Sequence, residues 1–204
     1  MSLPNKVIAV DVAILLEGEL KELAIRLNKE IHESNPASYT LGEDRKPHIT
    51  TGMGFVREKD IPRLIDALDA VLKDVAGIDI HFASVEILDN GRHSDLKIER
   101  TENLMSLHGR VMDVFVPFET TYLDDLASYV LDEGESPSKR SIYYQQEYRK
   151  LRGLEHYKPH VTLGKGAPVT QDVSPRIYDQ HRIALCRMGA HGNCRDVIHE
   201  WHLP

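Results

Sequence analysis

Apolar positions change their period several times along the chain, and each change marks an element. Val7-Ile8-Ala9-Val10-Asp11-Val12-Ala13-Ile14-Leu15 is an apolar run rich in β-branched residues, which predicts a buried strand. From Glu17 onward the period becomes helical. Leu20, Leu23, Leu27 and Ile31 recur with charges between them, predicting an amphipathic helix over roughly 17–33 that Asn35-Pro36-Ala37-Ser38 stops. His48 to Val56 reads as a strand. Ile61, Leu64, Ile65, Leu68, Leu72 and Val75 predict a second helix, ended near Gly77. Ile78 to Leu88 is a strand, and Asn90-Gly91 after it is the strongest hairpin signal in the chain, with Asp95 to Arg100 as the expected partner. Leu104, Leu107, Val111, Val114 and Phe115 place a third helix at about 102–116. His160 to Gly164 reads as a strand, and Arg182 to Met188 with Val197 to Leu203 as a final hairpin.

Helices alternating with strands that also pair as hairpins predict an α+β fold with largely antiparallel sheets. Residues 119–152 fit no period. Asp124, Asp125, Asp132, Glu133 and Glu135 come first, then Lys139, Arg140, Arg149, Lys150 and Arg152. Solvated or mutually packed charged faces are the simple reading, and a lid with a basic edge toward an anionic substrate is the sharper one.

Composition narrows the class. With 204 residues, 41% hydrophobic and 28% charged, the chain can bury a core as a globular protein. No apolar run approaches the roughly 20 residues of a membrane helix. Met1-Ser2-Leu3-Pro4 lacks the basic and apolar stretches of a secretory signal, so the cytoplasm is the expected location. Cys186 and Cys194 flank a turn expected at 189–193 that would bring them close, yet two reduced thiols are the expectation inside a cell. The formal net charge of −7 argues against a protein that grips long nucleic acid by its backbone, and favours a small substrate or a single nucleic-acid end.

One internal repeat stands out. Lys46-Pro47-His48-Ile49-Thr50-Thr51-Gly52 recurs as Lys158-Pro159-His160-Val161-Thr162-Leu163-Gly164. Alternate side chains of a strand share a face, so His48 and Thr50 point one way and Ile49 and Thr51 the other. His160 and Thr162 likewise oppose Val161 and Leu163. Two such copies facing across a cleft would set two imidazoles and two hydroxyls around one point. That set suits a phosphodiester. One imidazole takes a proton from water while the other gives one to the leaving oxygen, and a ring with an ordinary pKa of about 6.5 can do either near neutrality. The threonine hydroxyls are expected to donate hydrogen bonds to the non-bridging oxygens.

These residues resemble the two-histidine (2H) phosphoesterase superfamily, which is defined by two His-x-Thr/Ser-x motifs, here His48-Ile49-Thr50-Thr51 and His160-Val161-Thr162-Leu163. The family includes 2′-5′ RNA ligase-like proteins, cyclic phosphodiesterases and RNA-end-processing enzymes. The resemblance implies one bilobal catalytic domain over 1–204. Its two mainly antiparallel sheets would face a central cleft with the helices outside, related by a pseudo-twofold axis, and each would contribute one motif. It also implies catalysis by His48, Thr50, His160 and Thr162 without metal or other cofactor, on a small nucleotide or an RNA terminus, with no membrane partner. The interval of 112 residues between the two histidines is long, because 119–152 lies within it as an insertion or lid.

Arg45, Lys46, Tyr157 and Lys158, beside the motifs, are the candidate substrate-binding residues. Tyr143, Tyr144 and Tyr148 could also stack on a base, although packing is their more common fate. The two histidines could instead be metal ligands, but threonine as the repeated partner argues against it. His199 and His202 fall on opposite faces of a strand. His32, His81, His93, His108, His156, His181 and His191 sit in no repeated frame and read as structural or exposed.

Overall fold

The computed structural model describes residues 6–204; the leader reading made on residues 1–4 lies outside them. Helices and strands follow the order β1 (Val7–Leu15), α1 (Gly18–Ser34), β2 (His48–Arg57), α2 (Ile61–Leu72), β3 (Ile78–Leu88), β4 (His93–Ile98), α3 (Glu102–Phe115), α4 (Lys139–Gln146), α5 (Tyr148–Arg152), β5 (His160–Gly164), β6 (Arg176–Gln180), β7 (Arg182–Met188) and β8 (Cys194–His202).

Every residue of β1 is buried, as its apolar run requires. It lies between β2 and β7 in a four-stranded sheet of order β2-β1-β7-β8, and the second sheet runs β5-β4-β3-β6. All six pairings among the described residues are antiparallel. The two orders superimpose term by term, so each motif strand, β2 or β5, sits at the same edge of its own sheet. The α+β class and the pseudo-twofold arrangement are therefore as expected.

The helices bury the stripes their sequences predict. α1 buries Leu20, Leu23, Leu27 and Ile31, and α3 buries Leu104, Leu107, Val111 and Phe115. Thr101 caps α3 by accepting from the Leu104 N–H. α1 packs on β5 and α3 on β2, so each motif strand is backed by a helix. Gly52 marks the second contact, because a Cβ there would stand 2.8 Å from Cγ1 of Val111. It lets α3 close on β2 instead of ending the strand. Gly164 does end its strand, at φ +140°, with the Ser38 hydroxyl in the space a side chain would need.

Several expectations are corrected. β4 starts at His93, not Asp95, because Asp89, Asn90 and Gly91 all take positive φ and reverse the chain in three residues. β6 was not anticipated: it is an edge strand with Arg176, Ile177 and Asp179 exposed and therefore carries no apolar period. The 119–152 segment holds two short helices, α4 and α5. Cys186 and Cys194 are joined as a disulfide, not left as thiols, since the β7–β8 hairpin brings their Cα atoms to 5.6 Å.

Candidate active site

β2 and β5 deliver His48, Thr50, His160 and Thr162 to one cleft, of about 770 Å³ counting its open mouth. The alternation that predicts this also holds on the hidden side. Ile49, Thr51, Val161 and Leu163 are all buried, and the Thr51 hydroxyl donates to the Val12 carbonyl at 2.7 Å.

Both imidazoles are oriented alike. Nδ1 of His48 lies 2.7 Å from the Lys46 carbonyl oxygen, and Nδ1 of His160 lies 2.8 Å from that of Lys158. A carbonyl oxygen can only accept, so each ring carries a proton on Nδ1 and leaves Nε2 for chemistry.

The surroundings of the two rings differ. Asp11 enters from β1, wholly buried, and its Oδ2 stands 3.3 Å from Nε2 of His48 while accepting the Thr50 hydroxyl at 2.7 Å. Its other oxygen is buried with no partner. With Nδ1 already a donor, an unprotonated Nε2 would turn its lone pair on a carboxylate, so the geometry favours the imidazolium. Burial works against the charged ring, but Asp11 and the Lys46 carbonyl outweigh it and hold the His48 pKa above the ordinary histidine value. The expected role of Thr50 needs correction too, since its proton is committed to Asp11 and does not face the cleft.

In the second sheet the buried carboxylate is Asp95, which lies opposite Thr162 in the β4–β5 ladder. Its Oδ1 is 3.2 Å from Nε2 of His93, and this pairing raises the His93 pKa. Among the described residues no carboxylate comes within ion-pair distance of His160. His93, read from sequence as unremarkable, thus occupies the acid of its half.

The flanking candidates divide. Tyr157 and Lys158 line the cleft; Arg45 and Lys46 do not. The Arg45 guanidinium is paired with Asp132 and Glu135, and the Lys46 ammonium donates to the carbonyls of Glu43 and Arg195 at 2.6 and 3.1 Å. Tyr157 is almost fully buried, donates its hydroxyl to the Thr50 carbonyl at 2.8 Å, and has one face covered by His108, stacked at 3.8 Å and 3°. It supports the site and offers a base little surface. His199 and His202 form no cluster, and Glu200 between them is held bidentately by Arg182.

Sequence reasoning named Tyr144, Tyr148 and Arg152 of the cleft wall supplied by α4 and α5, but missed Ser141 and Gln145. It also missed Asp11. A signal for Asp11 existed, since a lone carboxylate in an apolar strand needs a partner.

Two antiparallel sheets, each lending a His-β-Thr strand to a common cleft, define a protein of the two-histidine phosphoesterase class. The chain belongs to the 2′-5′ RNA ligase superfamily, whose family model matches residues 21–182. Solved structures agree on the fold. Over 96% of this chain and 98% of the other, it is similar to TT0787 of Thermus thermophilus, with TM-score 0.58 and 15% identity. Escherichia coli LigT complexed with ATP covers 97% of this chain and 99% of its own length, with TM-score 0.56 and 15% identity. LigT complexed with 3′-AMP gives TM-score 0.52 at 14% identity over the same shares, 97% and 99%. Comparison with curated proteins finds no match.

Proposed function

We propose that this chain is a metal-independent phosphodiesterase that opens a 2′,3′-cyclic phosphate, on a free nucleotide or at an RNA end, to a phosphomonoester. The observation that carries the reading is the convergence of two motif strands on one cleft, each with an imidazole held through Nδ1 so that Nε2 is available. In this mechanism Nε2 of His160 takes a proton from water, and the water oxygen attacks phosphorus. The bond from phosphorus to one ring oxygen breaks, and the proton on Nε2 of His48 goes to that oxygen. Asp11 supports the assignment of His48 as the acid, and the absence of a carboxylate beside His160 among the described residues supports it as the base. The hydroxyl of Thr162 stabilises charge on the non-bridging oxygens. Small nucleotides bound by LigT make a nucleotide substrate a natural expectation here.

The test is hydrolysis of the four nucleoside 2′,3′-cyclic phosphates and of a short RNA with a cyclic end, in the presence of a chelator. His48→Ala and His160→Ala should each lower the rate by about 10²–10⁴-fold. No turnover of any of these, or turnover that the chelator abolishes, would sink the proposal. The family's name favours a second reading, cleavage or ligation of 2′-5′ linkages by the same groups. Linear 2′-5′ and 3′-5′ dinucleotides separate the two.

A further inference from the structure

Arg152, at the end of α5, lines the cleft but has no carboxylate partner among the described residues. Other arginines nearby do: Arg45, Arg149 and Arg195 each reach an acid. The position of Arg152 is nevertheless firmly built. Its carbonyl oxygen lies 2.8 Å from Nε2 of the buried His108, whose Nδ1 is 2.7 Å from the Thr51 carbonyl of β2. Its Nε donates to the Tyr144 hydroxyl at 2.9 Å, and the guanidinium carbon sits 5.5 Å from the centre of the Tyr144 ring. Both terminal NH₂ groups are left without a protein acceptor among the described residues. Lys158, ahead of the second motif, is a second lining cation with no acid partner among them.

An arginine held in place by its backbone and by Nε, with its fork free, is organised to receive an oxyanion. In a chain of net charge −7 an unpaired guanidinium in a cleft is a selective feature. It comes from neither motif strand. We infer that Arg152, with Lys158, forms a second anion subsite, separate from the place between the two histidines. It would take a 5′-phosphoryl group of the nucleotide whose other phosphate is cleaved. The claim that this nucleotide is the substrate rests on the phosphodiesterase reading; the subsite itself does not. The substrate class is thereby narrowed to nucleotides that carry a second phosphate, over bare nucleoside cyclic phosphates.

Two experiments test this on the whole protein. In the first, kcat/KM is compared for adenosine 2′,3′-cyclic phosphate, its 5′-phosphorylated form and a dinucleotide with a cyclic end. A preference of about 10- to 100-fold for the phosphorylated forms is expected, the worth of a charge-assisted contact. Arg152→Ala should collapse that ratio toward one, and Arg152→Lys, which keeps the charge but loses the fork, should leave part of it. A dinucleotide preferred over the 5′-phosphorylated mononucleotide assigns the subsite to a chain phosphodiester, and the reverse to a terminal phosphate. In the second, calorimetry compares adenosine 3′,5′-bisphosphate with 3′-AMP, without any need for turnover. Tighter binding of the bisphosphate that Arg152→Ala abolishes supports the subsite even where no cyclic substrate is cleaved, in which case the catalytic reading alone falls. Equal binding of the two ligands by the wild type, or equal weakening of both in Arg152→Ala and Arg152→Lys, overturns the inference.

Discussion

Asp11→Asn tests the inequality of the two halves at its source. Asparagine keeps the size, and its carbonyl oxygen can still accept from Thr50, but the negative charge beside His48 is gone. Opposite unit charges at 3.3 Å attract by about 5 kcal/mol at an effective dielectric of roughly 20. Burial of the ring opposes that gross attraction, yet the net direction is a raised His48 pKa. The sign then follows. In the proposed mechanism His48 acts as acid while protonated, so activity should fall on the alkaline side as the proton leaves, and removing Asp11 should move that limb to lower pH. Above the displaced limb the variant loses roughly tenfold per pH unit until the wild type begins to fall as well. Stability follows the same sign. The contribution of a raised histidine is complete below its ordinary pKa of about 6.5 and disappears as pH rises through the folded value. The difference in urea stability between wild type and variant should therefore be largest in mild acid and shrink in alkali. The assay is kcat/KM on a cyclic nucleotide from about pH 5 to about pH 9, beside an NMR titration of the His48 ring, which needs no substrate. An alkaline limb and a His48 titration that both stay in place in Asp11→Asn would refute the reasoning, even if the overall rate dropped.

Two further perturbations probe the scaffold. The Cys186–Cys194 bond spans a sequence separation of 8, and chain-entropy arguments give it about 2.5 kcal/mol. Replacing both residues with serine should lower the melting temperature by about 5–10 °C, and an unchanged melt would show that the bond contributes nothing. His108→Ala removes the ring between the Thr51 and Arg152 carbonyls and unstacks Tyr157. It should cost about 2–4 kcal/mol and speed proteolysis within 139–152. A loss of stability without faster cleavage there would mean that His108 does not tie this segment to β2.

Much of the fold was legible because burial writes a period into the sequence. The stripes of α1 and α3 and the alternation through the motif residues of β2 and β5 follow from elements with one wet and one dry side, and the apolar run of β1 from a strand buried on both. β6 left no such trace, since of its side chains only Gln180 is buried, where it accepts from the Glu17 N–H. The four motif residues were legible from their repeat alone, and their meeting in one cleft was an expectation that the family resemblance implied. Arg45 and Lys46 were placed by proximity in sequence, which says nothing about where a long side chain ends. Their charges are satisfied by Asp132 and Glu135 in one case and by backbone carbonyls in the other. The reduced-thiol expectation failed for a related reason. It weighed the compartment, whereas the hairpin geometry set the distance.

A repeat also hides what its function requires. In the proposed mechanism acid and base work at one pH from one residue type, so one imidazole has to be charged while the other is neutral. Two identical halves would give two identical rings. The difference comes from β1 and β4, which carry no repeat. In the β1–β2 ladder Ala13 stands opposite Thr50, and Asp11 lies two residues along the same strand, where it reaches both Thr50 and His48. In the β4–β5 ladder the acid, Asp95, stands opposite Thr162 itself and is occupied by His93. Displacing the carboxylate in this way sets Asp11 beside His48 and leaves His160 with no carboxylate within ion-pair distance among the described residues. Under that proposal the duplicated strands provide the reacting groups, and their unrepeated neighbours set the direction in which protons move.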